Sequence, residues 1–458
     1  MKYAQDLSRS LSLKENVLIT LSSVTPASSV FIVMPAAIQA VGGASATACV
    51  IAAVIALFTA FCYAELSSAF PVTGGEYAFA ARTIGKSTGF ALLMMSLIGG
   101  VLVTAVIGLG TGDYLGVIWT SMSGPGVGIV ALLVAAGAAV LNIRTNAWVT
   151  GVFLVLEMLA LVVLTVLGFL HVSQPVTVLW TAQTTGHGGL SPVGAGVVLA
   201  AIPTVLFAYN GYGTAVYFAE ETRHATSTIG RAIMVSFVIT VAAEIIPVTA
   251  VLLGTSDLRR LVAADAPINE FLTSRGGSTL NALVSFGIAL AIFNALIALF
   301  LQIGRLFYSS ARDGSWPDVI GRPLAAVHPK LKTPVVATLT TGAATVVVAW
   351  LVPMNTLILA TGANVALLYV LVALSALAGR RRGTTADAPY RMPLGPLSPL
   401  AVLVVMAYVL YQSVEADWVP VGLSVGMLAL GYVYYYAYLH PRRDERWTLP
   451  APADEEIV

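Results

Sequence analysis

The chain has 458 residues, 58% of them apolar and 10% charged, with a mean hydropathy of +0.88 and a formal net charge of +1. Soluble globular chains carry roughly 45–50% apolar and about 25% charged residues, so a large soluble core is excluded and an integral membrane protein is indicated. So small a net charge gives no ground for a nucleic-acid partner.

A helix needs about 20 apolar residues to cross a hydrocarbon core of roughly 30 Å. Twelve stretches meet or approach that length: 17–40, 45–69, 88–116, 126–142, 147–170, 196–219, 229–254, 280–310, 335–352, 355–378, 397–414 and 418–439. Spans of a β-barrel would run about 10 residues with alternating polarity, so these long, continuously apolar runs predict an all-α membrane bundle. The polar start, residues 1–14, is followed by no small-residue cleavage site, and the first run reads as a retained helix rather than a signal peptide. Cys49 and Cys62 both lie in the second span but are not helical neighbours, so neither a disulfide nor a metal site is expected from them. With twelve spans and the N-terminus inside, only Arg259, Arg260 and Arg275 of the 23 Lys and Arg residues fall outside. That asymmetry places both termini in the cytoplasm.

Two spans are interrupted at their centres. The first carries Thr25-Pro26-Ala27-Ser28-Ser29 where lipid favours leucine, and the sixth carries Asn210, Gly211, Gly213 and Thr214 within "LFAYNGYGTAV". Five spans separate the breaks, as they would if spans 1–5 and 6–10 were two copies of one unit. Paired interruptions in two halves point to the binding site of an inverted-repeat transporter. No residue-level repeat is visible, so this reading rests on position and composition. It divides the chain into a cytoplasmic segment 1–16, a first repeat 17–170, a second repeat 171–378, two further helices in 379–440 and a cytoplasmic tail 441–458. In lipid, backbone polar groups are satisfied internally or line a cavity. The half-helix beyond the first break presents N–H groups and a positive dipole end, which suit a carboxylate. The half-helix before the second break ends in carbonyls, which suit an ammonium. The bland alternative is close helix packing at small residues and a proline kink.

Four stretches carry a resemblance to a known family. "ASSVFIVMP", residues 27–35, is similar to its helix-1 signature, and "YAELSSAFPVTGGEYAF", residues 63–79, is the most specific match. "LFAYNGYGTAVYFAEETRHATSTIGRAI", residues 206–233, and "RLFYSSARDGSWP", residues 305–317, resemble its helix-6 and post-helix-8 patterns. Together they resemble the amino acid–polyamine–organocation superfamily. The resemblance implies a LeuT-like five-plus-five inverted repeat plus two C-terminal helices, with helices 1 and 6 unwound at the centre. It also implies alternating access and amino acid or amine substrates. Mapped by residue, the carboxylate-binding turn would be Ala27, Ser28 and Ser29, with Thr25 beside it. The amine would meet Phe207, Ala208, Asn210 and Gly211, and Phe207 and Tyr212 would form the gate. The family's two glycines beside the central serine are here Ala27 and Ser29, which leaves room for a substrate without an α-carboxylate.

Glu157 sits mid-way along span 5 and Glu244 along span 7. A charge at the bilayer centre costs about 2.5–3.5 kcal/mol on insertion scales, so each carboxyl is expected to face the interior and hold a proton part of the time. The resemblance places Glu157 where some members carry a proton-coupling lysine, and it is the candidate proton carrier here. Its bland reading is a neutral carboxyl bonded to a broken helix. Glu244 lies one turn before Pro247, where it would satisfy a freed carbonyl. Residues 287–300 lack any hydroxyl, which disfavours the family's second sodium site, and their lone polar side chain, Asn294, reads as a pocket or packing group. Glu76, Arg82, Glu220, Glu221, Arg312 and Asp313 read as cytoplasmic charges, mostly solvated or paired, with a minority at an inner gate.

Other classes fit less well. "GTGDY", residues 110–114, matches the G-x-G-D of intramembrane aspartyl proteases, but no Tyr-Asp partner exists. The zinc-protease H-E-x-x-H is absent, and all five histidines, His171, His187, His224, His328 and His440, lie at or beyond span ends. Paired internal breaks in one chain suit a carrier better than a channel. The sequence therefore reads as a secondary active transporter of the cell membrane and not an enzyme. It would move amino acids, coupled to protons and independent of sodium. The alternative is a polyamine or ethanolamine-like amine carrier, or an amino acid/amine exchanger. The expected partners are a small-molecule substrate, protons and the bilayer, with no cofactor and no obligatory protein partner.

Overall fold

A computed structural model describes residues 11–72, 74–141, 143–186, 189–331 and 333–449. Lys2, Arg9, His187 and Lys332, the first ten residues of the N-terminal segment and the last nine of the tail lie outside the described residues.

The first half of the chain runs α1 (Leu13–Val24), α2 (Pro26–Ser28), a π-type turn (Ser29–Val33), α3 (Met34–Val41), α4 (Ser45–Ala69), α5 (Gly75–Thr83), α6 (Lys86–Ile118), α7 (Pro125–Ala139) and α8 (Ile143–Leu170). A small antiparallel hairpin, β1 (Gln183–Gly186) with β2 (Gly189–Pro192), follows. The second half runs α9 (Ala195–Ala200), α10 (Ile202–Tyr209), a 3-10 segment (Tyr212–Glu221), α11 (Ala225–Gly254), α12 (Leu258–Ala263), α13 (Pro267–Arg312), α14 (Asp318–Leu324), α15 (Val335–Leu351) and α16 (Met354–Arg382). α17 (Leu397–Ala416) and α18 (Trp418–Tyr434) close the chain.

Among the described residues, nine helical stretches are long and apolar enough to cross a membrane; one of them, Leu13–Ala69, has 57 residues. Pro125–Ala139 and Val335–Leu351 are apolar but shorter. The hairpin and the short helices α5, α12 and α14 lie in connections whose polar residues gave no apolar periodicity to read. α13 is 46 residues long because a short helix from Pro267 joins the apolar span at Gly277, where φ is +78°.

The packing explains which face of each helix is apolar. α8 exposes Val152, Val155, Leu159, Val162 and Val166 and buries Leu154, Glu157, Ala160, Leu161 and Leu164. These sets recur at helical spacing, and the exposed one is as apolar as the buried one. In water such a face would be polar, so it meets lipid, and Glu157 points into the protein. α6 and α13 pack against each other at the centre of the bundle, with α16, α18 and α7 against α6.

Candidate substrate site

The first break begins with proline. Pro26 has no N–H for Ser22, and its ring disfavours the right-handed helical region for the residue before it. Thr25 leaves that region for the left-handed one, with φ +51° and ψ +67°. A β-branched residue there is an outlier. Beyond the break the Ser29 N–H returns to the Thr25 carbonyl at 3.0 Å. The Ala27 N–H instead donates to Glu157 Oε1 at 2.8 Å, across 130 residues of sequence, and the Ser28 N–H points to the same carboxyl. Glu157 thus caps the second half of this helix from α8. The π-type turn Ser29–Val33 follows, and the Phe31 carbonyl accepts from the Tyr114 hydroxyl at 2.5 Å.

The second break rests on glycine. α10 ends at Tyr209, Asn210 is extended, and Gly211 has φ +120°, which favours glycine. The close approach also requires it: a Cβ on Gly211 would lie 2.9 Å from Val24 Cγ2 and 3.0 Å from Val24 Cα. The second break therefore sits against the end of α1. The two are also tied by Ser29, whose hydroxyl donates to the Ala208 carbonyl at 2.9 Å.

Where the breaks meet lies a cavity of about 80 Å³. Thr25, Ser29, Phe207, Asn210, Gly211 and Tyr212 line it, together with Ser23 and Val24 at the end of α1. Of the residues read from sequence, Ala27, Ser28, Glu157, Ala208 and Asn294 are buried outside its wall. Ala27 and Ser28 face Glu157, and the Ala208 carbonyl faces Ser29. Glu244 is fully buried in α11, within electrostatic reach of Glu157 and beside Ser29.

The wall also holds groups that the sequence reading did not assign to a site: Tyr63, Glu76, Tyr217, Gln302, Asn364 and Tyr369. Glu76, on α5, is 4% exposed. Its Oε1 accepts from the Tyr63 hydroxyl at 2.8 Å, and its Oε2 accepts from the Tyr217 hydroxyl. Burial pushes this carboxyl above the usual carboxylate range, against the opposing pull of the tyrosine donors. Gln302 and Asn364 were legible as polar residues inside lipid-length runs; Glu76 looked like a loop charge.

On the face that carries Leu13 the bundle is closed by polar contacts. The Leu11 N–H donates to the Glu221 carbonyl at 2.9 Å, and Asn16 Nδ2 donates to Thr222 Oγ1 at 2.9 Å. Arg305 pairs with Glu221 at 3.1 Å with both side chains buried, and Arg312 pairs with Glu220 at 3.2 Å. Removing one partner of a buried pair costs about 3–5 kcal/mol. Asp313 accepts from the Tyr77 hydroxyl at 2.8 Å and is pushed up to about 6 by burial, against the nearby Arg312 guanidinium. Glu65, in the "AELSS" run, accepts from Arg380 Nε at 2.8 Å and from the Met392 N–H at 2.9 Å, which joins α4 to the end of α16. Among the described residues no group of three or more His, Cys, Asp or Glu side chains is placed to hold a metal ion.

The comparisons with known proteins agree with this architecture. The family model described as "Amino acid permease" matches residues 11–437. The branched-chain amino acid permease BcaP of Bacillus subtilis is 23% identical over 416 residues, 85% of this chain and 84% of its own length. An uncharacterized transporter of Mycobacterium tuberculosis is 30% identical over 433 residues, 93% of this chain and 91% of its own. Cationic amino acid transporter 4 of Homo sapiens is 26% identical over 348 residues, 71% of this chain and 52% of its own. The chain belongs to the amino acid permease family, within the amino acid–polyamine–organocation superfamily.

Proposed function

We propose that this permease moves amino acids across the cell membrane by alternating access, driven by protons and without sodium. Its twelve helices would form a five-plus-five inverted repeat and two further helices, with both termini in the cytoplasm. The relatives named for branched-chain and cationic amino acids support the substrate class. The charge distribution along the chain supports the orientation.

The observation that carries the coupling is the hydrogen bond from the Ala27 N–H to Glu157. A helix N-terminus favours a negative charge, so the ionised carboxyl holds the second half of the broken helix. A protonated carboxyl is a weaker acceptor and lets that half move. Proton binding and rearrangement of the first break are then one event. The substrate sits at the cavity. Glu157 occupies the Ala27 and Ser28 N–H groups that the sequence offered to a carboxylate, so the expected orientation is reversed. The substrate's ammonium meets the end of α1, where Pro26 and the diverted Ala27 N–H deprive the Ser22 and Ser23 carbonyls of helical donors. Its carboxylate meets the opening turn of the 3-10 segment at Tyr212 and Gly213, whose N–H groups have no partner within that segment.

The test is uptake into proteoliposomes. The wild type is expected to concentrate amino acid under an inward proton gradient, with or without sodium. Glu157→Gln is expected to lose accumulation while keeping one-for-one exchange. A mutant that still concentrates substrate under a pH gradient would remove Glu157 as the coupling group.

A further inference from the structure

The cavity wall is electrostatically one-sided. Among its residues Glu76 is the one carboxyl, and no Lys, Arg or His contributes. Its other polar side chains are neutral hydroxyls and amides, such as Thr25, Ser96, Gln302 and Asn364. Among the described residues no cation pairs with Glu76; its two partners are tyrosine hydroxyls. A buried carboxylate without a counter-charge is costly, and two phenol donors offset only part of that cost. A positive charge entering the cavity would meet this carboxyl as its counter-charge.

The distance from the breaks fits a side chain. A Cβ on Gly213, next to the second break, would lie 2.9 Å from Tyr63 Cε1, and the hydroxyl of that ring reaches Glu76 at 2.8 Å. One tyrosine ring and one hydrogen bond therefore separate the break from the carboxyl. Val103, Ile107 and Leu299 supply apolar wall for methylene groups.

We propose that Glu76 reads the far end of the substrate, so that the cavity selects amino acids with a second, distal positive charge, such as lysine. This rests on the reading of the cavity as an amino acid site. α-Ammonium and carboxylate dock at the breaks, the methylene chain lies along the Tyr63 ring, and the terminal ammonium completes the hydrogen bonding of Glu76.

Lysine and norleucine differ only in that terminal ammonium, and their competition for labelled substrate in proteoliposome exchange tests the proposal. A charge-assisted bond of this kind predicts that lysine competes about tenfold better than norleucine in the wild type. Glu76→Gln should bring the two within about twofold of each other. If norleucine competes as well as lysine in the wild type, Glu76 does not read a distal charge, while amino acid transport stands. If no α-amino acid competes, the proposed function itself falls. If Glu76→Gln abolishes proton-driven accumulation but keeps the lysine preference, Glu76 is a proton carrier and the inference is overturned. Should Glu76→Gln fail to fold, the wild-type ratio of the two probes still decides.

Discussion

Two helix breaks face one cavity, and they are held by different means. The first is built by Pro26 and a left-handed Thr25, and its opening N–H groups are capped by a carboxyl from another helix, Glu157. The second is built by Gly211 against the backbone of Val24, and no side chain caps the 3-10 segment beyond it. That segment is anchored at its far end, where Glu220 and Glu221 pair with Arg312 and Arg305 of α13. The lesson is a division of labour. The first break is capped by a carboxyl from another helix, and the second is set by shape, with no side chain capping the segment beyond it.

The sharpest way to break this contrast is Gly211→Ala. The substitution adds a Cβ into Val24 at a φ that L-residues rarely adopt. Strain and overpacking together predict a loss of about 2–4 kcal/mol and a fall in transport of about a hundredfold. Thermal melting in detergent and uptake in proteoliposomes measure both. Wild-type values for the mutant would refute the steric account of the second break. The first break should respond instead to Glu157→Ala, which strands the N–H groups of Ala27 and Ser28. An unsatisfied buried donor costs about 1–3 kcal/mol, and Glu157→Gln, which keeps an acceptor oxygen, should recover most of it. Equal melting of the alanine and glutamine variants would mean that Glu157 is no cap.

The anchor of the second break should also feel pH, through Asp313. Its carboxyl titrates near about 6 in the fold against a usual value of 3.8, because it is buried. The folded state therefore binds more protons than the unfolded state between those values. Stability contributed by this group rises as pH falls through about 6, and is unchanged by further rise above it. From pH 7 to 5 the gain is about 1 kcal/mol. Asp313→Asn should remove that slope, as read from melting temperature against pH. An identical slope in the mutant would assign the titration elsewhere.

Much of this arrangement was legible in the sequence, for identifiable reasons. Pro26 and the run Asn210-Gly211 are helix-stopping residues inside apolar runs, and Glu157 is a charge inside another, so each stood out against its neighbours. Each of the twelve apolar stretches overlaps helix, though among the described residues nine helical stretches are long and apolar enough to cross a membrane. What could not be read is what depends on distance in space. That Glu157 caps Ala27 needs two helices 130 residues apart in sequence to meet. That Glu76 is buried against Tyr63 and Tyr217 needs α5 to fold back under α4 and the 3-10 segment. In sequence Glu76 is one more charge beside a Gly-Gly turn, and nothing local distinguishes it from solvated neighbours.

The smallest expected effect bears on Thr25 itself. A left-handed conformation costs an L-residue about 1–2 kcal/mol, more so when it is β-branched. Thr25 Oγ1 is also buried with no hydrogen-bond partner among the described residues. Thr25→Gly removes both burdens and gains flexibility in the unfolded chain, which costs back about 0.4–1 kcal/mol. The net expectation is a stabilisation of up to about 1 kcal/mol, seen as a modest rise in melting temperature. Thr25→Ala keeps the Cβ and removes only the hydroxyl, so it should recover less than glycine does. If alanine stabilises as much as glycine, the lone hydroxyl and not the backbone is what burdens the first break. If both variants melt lower, the Thr25 side chain is held by contacts in the cavity wall. The first break would then depend on packing, as the second does.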